Sequence, residues 1–155
     1  MKRNKRVAFI EPGAPGKHIY SAFGMPRIGA VLLATILKSM GFEVRVFVED
    51  IKSIDREARK WIEESKIVCV STITSTATRA YALADYWRDH GKVVILGGVH
   101  PTFMSEEAIN HADYVVRGEG EESFPALIQY LFDDIGTIEE IRGVSYVKDG
   151  SVVHN

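Results

Sequence analysis

The sequence predicts a doubly wound α/β domain, flavodoxin-like or Rossmann-like, with a five-stranded, mainly parallel sheet and a C-terminal β-hairpin. Two observations support this fold class. Short apolar runs rich in β-branched residues alternate with amphipathic stretches of helical length, a pattern typical of βαβ units covered by helices on both faces. The length of 155 residues is that of one ordinary domain and leaves no room for a second. We therefore expect residues 1–155 to form a single domain.

The strands are predicted from runs of Val, Ile, Phe and Tyr. They cover residues 6–11, 43–49, 66–72, 92–96 and 113–117. Short right-handed crossovers between them predict the strand order 2-1-3-4-5. Two further runs, 143–147 and 151–153, flank the Asp149-Gly150 pair and predict a β-hairpin with a tight turn.

The helices are predicted from apolar residues at helical spacing between the strands. They cover residues 27–40, 54–65, 76–90, 105–111 and 121–132. Gly41 and Gly91 follow two of them as C-terminal stops. Ser105, followed by Glu106 and Glu107, provides a polar and acidic helix start. Five strands and five helices therefore alternate along the chain before the hairpin.

Composition excludes several classes of function. The formal charge of −2 gives no electrostatic reason to expect nucleic acid or an anionic membrane as a partner. The longest apolar stretch, residues 28–37, is too short to span a bilayer, and we expect a cytoplasmic protein. Cys69 is the only cysteine and lies in an apolar run, which predicts a buried, unreactive thiol. One cysteine forms neither a disulfide nor an all-cysteine iron–sulfur site.

The loops that follow the strands are the candidate ligand-binding segments. In an open parallel sheet, ligands bind beyond the carboxyl ends of the strands, near the point where the strand order reverses. Loops 11–18, 71–76, 97–102 and 118–121 are rich in glycine or in Ser and Thr. Glycines let the backbone approach a ligand closely, and hydroxyl groups offer hydrogen bonds without a fixed charge. Four such loops at one edge predict a sizeable ligand, although each of them could also be only a turn or a helix cap.

Several specific sites are excluded by spacing. A phosphate loop needs four residues between its glycines and a Ser or Thr after its Lys. Here only two residues lie between Gly13 and Gly16, and His18 follows Lys17. Gly118-x-Gly120 lacks the third glycine of a dinucleotide fingerprint. The five histidines show no zinc-ligand spacing, and no protein metal ligand is predicted.

Four segments resemble a known family. They are residues 25–41, the Ser71-Thr72 pair, Gly-Gly-Val-His-Pro-Thr at 97–102 and Arg-Gly-Glu-Gly-Glu at 117–121. Together they resemble the N-terminal cobalamin-binding domain of cobalamin-dependent radical SAM proteins. The resemblance runs from the first strand to the hairpin, and its most specific part is the last two segments in this order. It implies that cobalamin binds at the carboxyl edge of the sheet.

The resemblance also implies roles for individual residues. Hydroxyl groups after the third strand would bond the nucleotide tail or the corrin amides, two glycines would open a channel for the tail, and the following residues would line its rim. Replacing Gly98 by Val would then weaken binding and leave the fold intact. The implied cofactor-binding residues are Pro12, Gly13, Ser71, Thr72, Thr74, Gly97, Gly98, Val99, His100, Pro101, Gly118, Glu119 and Gly120.

The first loop departs from the wider cobalamin-binding pattern. That pattern is Asp-x-His-x-x-Gly, whose His binds cobalt from below, and Glu11-x-Gly13-x-x-Gly16 occupies its register. Gly13 has no side chain to coordinate a metal. The resemblance therefore implies base-off cobalamin without a protein histidine, unless His18 substitutes.

The radical SAM signature itself is missing, because it needs three closely spaced cysteines and this chain has one. The resemblance thus implies an N-terminal fragment that is not catalytic alone. A C-terminal radical SAM barrel in the parent enzyme would supply the iron–sulfur cluster and S-adenosylmethionine, for methyl transfer or electron transfer. Two alternatives stay open. One is a flavodoxin-like flavin or nucleotide domain, against which Pro12 and Pro15 count because each removes a backbone donor; the other is a regulatory domain without a cofactor.

Overall fold

The computed structural model describes residues 5–16 and 25–155. Seven strands and six helices follow one another along these residues, with short 3₁₀ turns at Thr74–Thr76 and Ile138–Glu140. In chain order they are β1 (Arg6–Glu11), α1 (Ile28–Ser39), β2 (Glu43–Val48), α2 (Arg56–Glu63), β3 (Ile67–Ser71), α3 (Ala77–Asp89), β4 (Val93–Gly97), α4 (Val99–Phe103), α5 (Ser105–Ala108), β5 (Tyr114–Val116), α6 (Ser123–Asp133), β6 (Val144–Lys148) and β7 (Ser151–His154).

The strands form one sheet in the order β2-β1-β3-β4-β5-β6-β7. The first five strands in this order are parallel, which confirms the predicted order 2-1-3-4-5. The hairpin is part of the same sheet, because β6 pairs antiparallel with β5 and Val116 lies opposite Val144. The sheet therefore has seven strands, whereas the sequence predicted a five-stranded sheet with a hairpin appended to it. Pairing with β6 covers the backbone edge that β5 would otherwise expose.

The hairpin turn is the two-residue type that the sequence predicted. Lys148 pairs with Ser151, and the residues between them, Asp149 and Gly150, have φ angles of 51° and 77°. Positive φ at both central positions defines the type I′ turn, which favours Asp-Gly because glycine pays no steric cost there.

Two apolar cores lie on opposite faces of the sheet. Val7 and Phe9 of β1 pack with α1 and α6, whereas Ala8 and Ile10 pack with α2, α3 and α5. Successive side chains of a strand point to opposite faces, so a strand covered on both sides must be apolar at every position. Each large side chain buried in this way stabilises the fold by about 1.5–3 kcal/mol.

The structure places most helices within two residues of their predicted ends, with one exception. The predicted helix 105–111 is wrong, since its last three residues form a turn and a separate helix, α4, precedes it. Residues 97–102, predicted to be the loop after the fourth strand, contain most of α4. Pro101 is nevertheless the third residue of α4, and proline is tolerated in a first helical turn, where its amide would have no helical partner. None of the helices in residues 5–16 and 25–155 is long and apolar enough to cross a membrane.

Candidate functional site

The carboxyl edge of the sheet opens into a cavity of about 130 Å³, here called the edge cavity. It lies between the sheet and the helices α1 and α6. Its deepest residues, the cavity floor, come from four strands and α6, and they are Phe9, Cys69, Ile95, Val116 and Phe124. All five are almost fully buried, and the rings of Phe9 and Phe124 pack with their centroids 5.4 Å apart.

The mouth of the edge cavity is formed by loops that the sequence singled out. Six of the thirteen predicted cofactor-binding residues line it, namely Ser71, Gly97, Gly98, Gly118, Glu119 and Gly120. The loop after β5 packs across the cavity onto α1, since a Cβ on Gly120 would lie 3.1 Å from Leu33. It is also joined to α4, because the Gly118 amide donates to Thr102 Oγ1 at 2.9 Å. The structure thus brings three of the four predicted loops to one mouth.

Gly97 and Gly98 are glycines for different reasons. A Cβ on Gly97 would meet nothing closer than the Val116 carbonyl, at 3.7 Å. Gly97 lies two positions after Ile95 of the cavity floor, so its missing side chain would project towards the same face. The absence of a side chain at Gly97 therefore leaves room in the edge cavity.

Gly98 is required by the backbone itself. Its φ is +102°, and a Cβ there would lie 2.5 Å from the Thr72 carbonyl oxygen. The Thr72 amide donates to the Gly97 carbonyl, and the His100 amide donates to the Thr72 carbonyl. The expectation that Gly98→Val would leave the fold intact is wrong, because any side chain would push these two loops apart.

The hydroxyl and imidazole groups after β3 and β4 bond to the protein and do not line the edge cavity. Thr72 is fully buried, and its Oγ1 lies 2.7 Å from Thr76 Oγ1. His100 Nε2 lies 2.9 Å from the Tyr81 hydroxyl, and its Nδ1 lies 3.3 Å from Thr74 Oγ1. Tyr81 belongs to the core on the α2 and α3 face. The His100 ring therefore points towards the face opposite the edge cavity.

The other residues of α4 also lie outside the edge cavity. Pro101 is buried beside His100, whereas Val99 is 59% exposed at the start of the helix. Burial, together with hydrogen bonding to Glu107, raises the pKa of Tyr81 far above its usual value. Tyr81 therefore stays a neutral phenol that can hold His100 in place at any physiological pH.

The loop after β1, which contains Pro12 and Gly13, is held by carboxylates. The Gly13 amide donates to Glu49 Oε2 at 3.1 Å, and the Ala14 amide donates to Asp50 Oδ1 at 3.2 Å. A Cβ on Gly13 would lie 2.9 Å from Asp50 Oδ1. His18, the alternative metal ligand, lies outside the described residues. A side chain at position 13 would therefore displace the exposed Asp50 carboxylate, which bonds to the Ala14 amide.

Two of the acids near this loop have shifted pKa values. Burial raises the pKa of Glu11, and the hydrogen bond from the Arg27 amide only partly offsets it. Burial also opposes ionisation of Glu49, yet hydrogen bonds from Arg79 and the Gly13 amide outweigh it and lower the pKa of Glu49. An anionic phosphate at this loop would meet carboxylates instead of free amides, which argues against the flavin alternative.

Arg27 links the start of α1 to the two central strands. Its amide donates to both carboxylate oxygens of the buried Glu11, at 3.0 and 2.9 Å. Its Nη1 donates to the Ser71 carbonyl at 2.7 Å. These bonds fix the N-terminus of α1 between β1 and β3, which is where the strand order reverses. The edge cavity therefore lies beside the position where such folds bind ligands.

The cavity floor is the part of the site that sequence reasoning missed. The prediction that Cys69 is a buried free thiol is confirmed, and burial raises its pKa well above the usual value. Its position in the cavity floor was not predicted. An apolar strand residue has the same sequence pattern whether it packs against a helix or lines a cavity, so no signal distinguished the two. Only the paired glycines after β4 indicated that space lay nearby.

A comparison with protein families shows which family this domain belongs to. The family model described as the B12 binding domain matches residues 19–128. The chain belongs to the B12-binding domain family. The assignment of cobalamin as the ligand, made from the loop motifs, is thus confirmed for the domain.

Curated relatives are longer proteins. A bacteriochlorophyllide d C-8(2)-methyltransferase from Chlorobaculum tepidum is 45% identical over 62 residues, which are 40% of this chain and 14% of that protein. An anaerobic magnesium-protoporphyrin IX monomethyl ester cyclase from Cereibacter sphaeroides is 27% identical over 162 residues, covering 96% of this chain and 26% of that protein. The chain therefore spans about a quarter or less of these relatives.

Two solved structures share the fold across nearly the whole chain. The cobalamin-dependent S-adenosylmethionine radical enzyme OxsB, solved with aqua-cobalamin, superposes with a TM-score of 0.74 at 20% identity, covering 99% of this chain and 22% of that one. The radical S-adenosylmethionine methyltransferase TsrM from Kitasatospora setae gives 0.71 at 18% identity, covering 97% and 30%. These likenesses show the fold, and the family match confirms the B12-binding domain that was recognised from the sequence.

Proposed function

We propose that this B12-binding domain is the cobalamin-binding module of a larger radical SAM enzyme and that it holds base-off cobalamin over the carboxyl edge of the sheet, with the nucleotide tail in the edge cavity. The observation that carries this proposal is the edge cavity itself. It is apolar, narrow and opened by Gly97, and it lies where family membership leads us to expect the tail. An apolar cavity of about 150 Å³ in another protein binds benzene, so the edge cavity, at about 130 Å³, has room for an aromatic part of the base at the end of the tail.

The thirteen predicted residues divide into three groups under this proposal. The six that line the mouth of the edge cavity contact the cofactor directly. Pro12, Gly13 and the exposed Val99 contact the rim of the corrin at the same edge. Thr72, Thr74, His100 and Pro101 hold the backbone of the β3 and β4 loops in position, because their side chains bond to the protein or are buried in it.

The chemistry is divided between the cofactor and the rest of the parent enzyme. Bound cobalamin supplies a cobalt centre that carries a methyl group or exchanges electrons, whereas the protein supplies binding and orientation. The module has a single cysteine, so the iron–sulfur cluster and the S-adenosylmethionine site belong to a radical SAM barrel elsewhere in the parent. The relatives named for methyl transfer support this division, as do the longer solved neighbours, of which this chain covers 22% and 30%.

The lower face of cobalt receives no side chain from position 13. Gly13 has no side chain, and the Gly13 and Ala14 amides donate to Glu49 and Asp50. Position 13 would therefore present only backbone to a bound corrin. This supports cobalamin bound without a protein imidazole.

The proposal is tested by mixing the purified chain with hydroxocobalamin, with FMN or with neither, followed by gel filtration and absorption spectroscopy. We expect cobalamin to elute with the protein and FMN to elute free. Gly97→Val, which fills the edge cavity, should weaken cobalamin binding at least about tenfold, or about 1.4 kcal/mol. Ser151→Val is the matched control, because it adds the same side-chain type to an exposed strand position away from the cavity. Retention of FMN, or no retention of cobalamin, would overturn the proposal.

A further inference from the structure

A row of hydrogen-bonding groups runs from the loop after β3 to the surface of α5. Thr74 Oγ1 lies 3.3 Å from His100 Nδ1, and His100 Nε2 lies 2.9 Å from the Tyr81 hydroxyl. Glu107 Oε1 lies 3.6 Å from the same Nε2, and the Glu107 carboxylate also forms a hydrogen bond with Tyr81. His100 and Tyr81 are buried, whereas the two ends of the row are exposed. These four residues are here called the polar chain.

The other charged groups beside the polar chain have partners of their own. The ring of His111 stacks on that of Tyr81 with the centroids 4.3 Å apart, and its Nδ1 lies 3.0 Å from the Asp85 carboxylate. Glu106 Oε1 lies 2.6 Å from an imidazole nitrogen of β7. These bonds leave Glu107 as the acid that acts on the Tyr81 hydroxyl.

Glu107 sets the direction of the hydrogen bonds in the polar chain. A glutamate side chain is ionised near neutral pH and then only accepts hydrogen bonds, so the Tyr81 hydroxyl, which stays protonated, donates to Glu107. The Tyr81 oxygen then accepts from His100 Nε2. A neutral imidazole carries one such proton, which places the His100 proton on Nε2 and leaves Nδ1 as an acceptor. Thr74 Oγ1 therefore donates to Nδ1.

This direction makes Thr74 an acceptor towards a ligand. A hydroxyl group has one hydrogen and two lone pairs, and the hydrogen of Thr74 is held by His100. Thr74 is exposed and begins the 3₁₀ turn that follows β3, so its lone pairs are offered at the carboxyl edge of the sheet. A primary amide can donate to them. A carboxylate has no hydrogen to donate and would bring its own lone pairs against them.

We infer that Tyr81 and Glu107 are positioning residues that act through His100, so that Thr74 accepts a hydrogen bond from an amide of the bound ligand and disfavours a carboxylate at the same place. The inference rests on the proposed function, because the side chains around a corrin ring end in primary amides. It adds to that function two residues of α3 and α5 that lie outside the edge cavity, together with the chemical group that Thr74 selects.

The first experiment measures the tautomer of His100 in the chain without cofactor, by nitrogen NMR at about pH 8, where an imidazole is ordinarily neutral. We expect the proton on Nε2. Glu107→Ala frees the Tyr81 hydroxyl to donate to Nε2, and the proton should then move to Nδ1 in a large part of the molecules. Glu106→Ala is the matched control, because it removes the neighbouring carboxylate of the same helix, and it should leave the tautomer unchanged. A proton on Nδ1 in the parent chain, or no change in Glu107→Ala, would overturn the inference.

The second experiment compares the binding of cobalamin with that of its monocarboxylic acids, in each of which one corrin amide is hydrolysed to a carboxylate. Equilibrium dialysis followed by absorption measures the affinities. At least one of these acids should bind the chain at least about tenfold less tightly than cobalamin, because a lost hydrogen bond and an unpaired carboxylate replace the amide contact. Equal affinity for cobalamin and all of the acids would overturn the inference but not the proposed function. No binding of cobalamin would overturn the proposed function itself.

Variants of the two ends of the polar chain make the binding test specific. Thr74→Val keeps the shape of the side chain and removes the hydroxyl, and both it and Glu107→Ala should reduce the preference for the amide at least about threefold. Glu106→Ala should retain the preference. In the Thr74→Val chain, Glu107→Ala should have no further effect, because the two residues act through the same contact. Effects that add up would mean that Glu107 acts on the ligand by its charge alone and would contradict the inference.

Discussion

Two adjacent glycines, Gly97 at the end of β4 and Gly98 directly after it, are glycines for two different physical reasons. Gly97 leaves space for a ligand, whereas Gly98 lets two loops approach within hydrogen-bonding distance. From the sequence the two are indistinguishable, since both precede a helix and follow an apolar strand. Their φ angles and neighbours separate them, and substitutions at the two positions should therefore have different consequences.

Gly98→Ala is predicted to lower the free energy of unfolding by about 2–6 kcal/mol. The backbone at Gly98, with φ 102° and ψ −173°, lies in a region that essentially only glycine adopts and disfavours any side chain by about 1–3 kcal/mol. Forcing the Thr72 carbonyl away from a Cβ 2.5 Å distant adds an overpacking cost of about 1–3 kcal/mol. Urea unfolding followed by circular dichroism measures the change. Gly97→Ala is the control and should lose less than about 1 kcal/mol, because its Cβ would meet only ordinary contacts. Equal losses at both positions would contradict this account of Gly98.

The lower face of bound cobalt provides a second prediction about single residues. Cobalamin bound to the chain and reduced to Co(II) should show no strong nitrogen superhyperfine splitting in electron paramagnetic resonance, because Gly13 carries no imidazole that could coordinate cobalt. Splitting that disappears in His18→Ala would instead make His18 the ligand. Splitting that survives this substitution would indicate that the cofactor's own base remains coordinated, against the base-off proposal.

At the scale of elements, the β1 loop, the end of β2 and α3 are joined through Glu49. Its carboxylate accepts hydrogen bonds from the Gly13 amide and from Arg79 of α3, and its pKa is lowered in the folded state. Because the pKa of Glu49 is lower in the folded state than in the unfolded state, its ionised carboxylate stabilises the fold. This stabilisation is fully present when the pH is above the pKa of the unfolded state, near 4.5, and is lost as the pH falls through the pKa of the folded state.

The stability of the chain should therefore fall more steeply on acidification than that of Glu49→Gln. Urea unfolding at a series of pH values between about 6 and 3 measures this difference. The variant should be less stable than the parent near pH 6, and the gap between them should narrow as the pH drops below about 4.5. A gap that stays constant across this range would mean that the Glu49 carboxylate is not what joins the three elements.

The elements also show what sequence reasoning could and could not reach. The strands were located to within two residues because a strand buried on both faces must be apolar, as 67–70 is. Helix α4 was missed because Gly98 and Pro101 favour a loop locally. Its own backbone hydrogen bonds, together with contacts to Tyr81 and the β5 loop, hold residues 99–103 helical. The mouth of the edge cavity was predicted because glycine and serine mark loops. The cavity floor was not, because Val116 has the pattern of any core residue.

At the scale of the whole molecule, residues 5–16 and 25–155 form two apolar cores, and the edge cavity interrupts only one of them. The core of α1, α6 and the sheet contains all five residues of the cavity floor, whereas the core of α2, α3 and α5 contains none. Residues of the floor come from β1, β3, β4, β5 and α6, which lie far apart in the sequence. A ring bound there would contact elements that must all be folded together.

Cobalamin binding should therefore stabilise the whole fold and protect one face of it selectively. A ligand that binds only the folded state at about 100 times its Kd adds about 2.7 kcal/mol, which for a chain of this length corresponds to a rise in Tm of roughly 5–10 °C. Calorimetry measures the rise, and FMN at the same concentration is the control.

Amide hydrogen exchange shows where the ligand binds. When the tail enters the edge cavity, exchange is expected to slow in α1 and α6 but not in α2 or α3. A rise in Tm with protection confined to α2 and α3 would place the ligand on the opposite face and would contradict the assignment of the edge cavity.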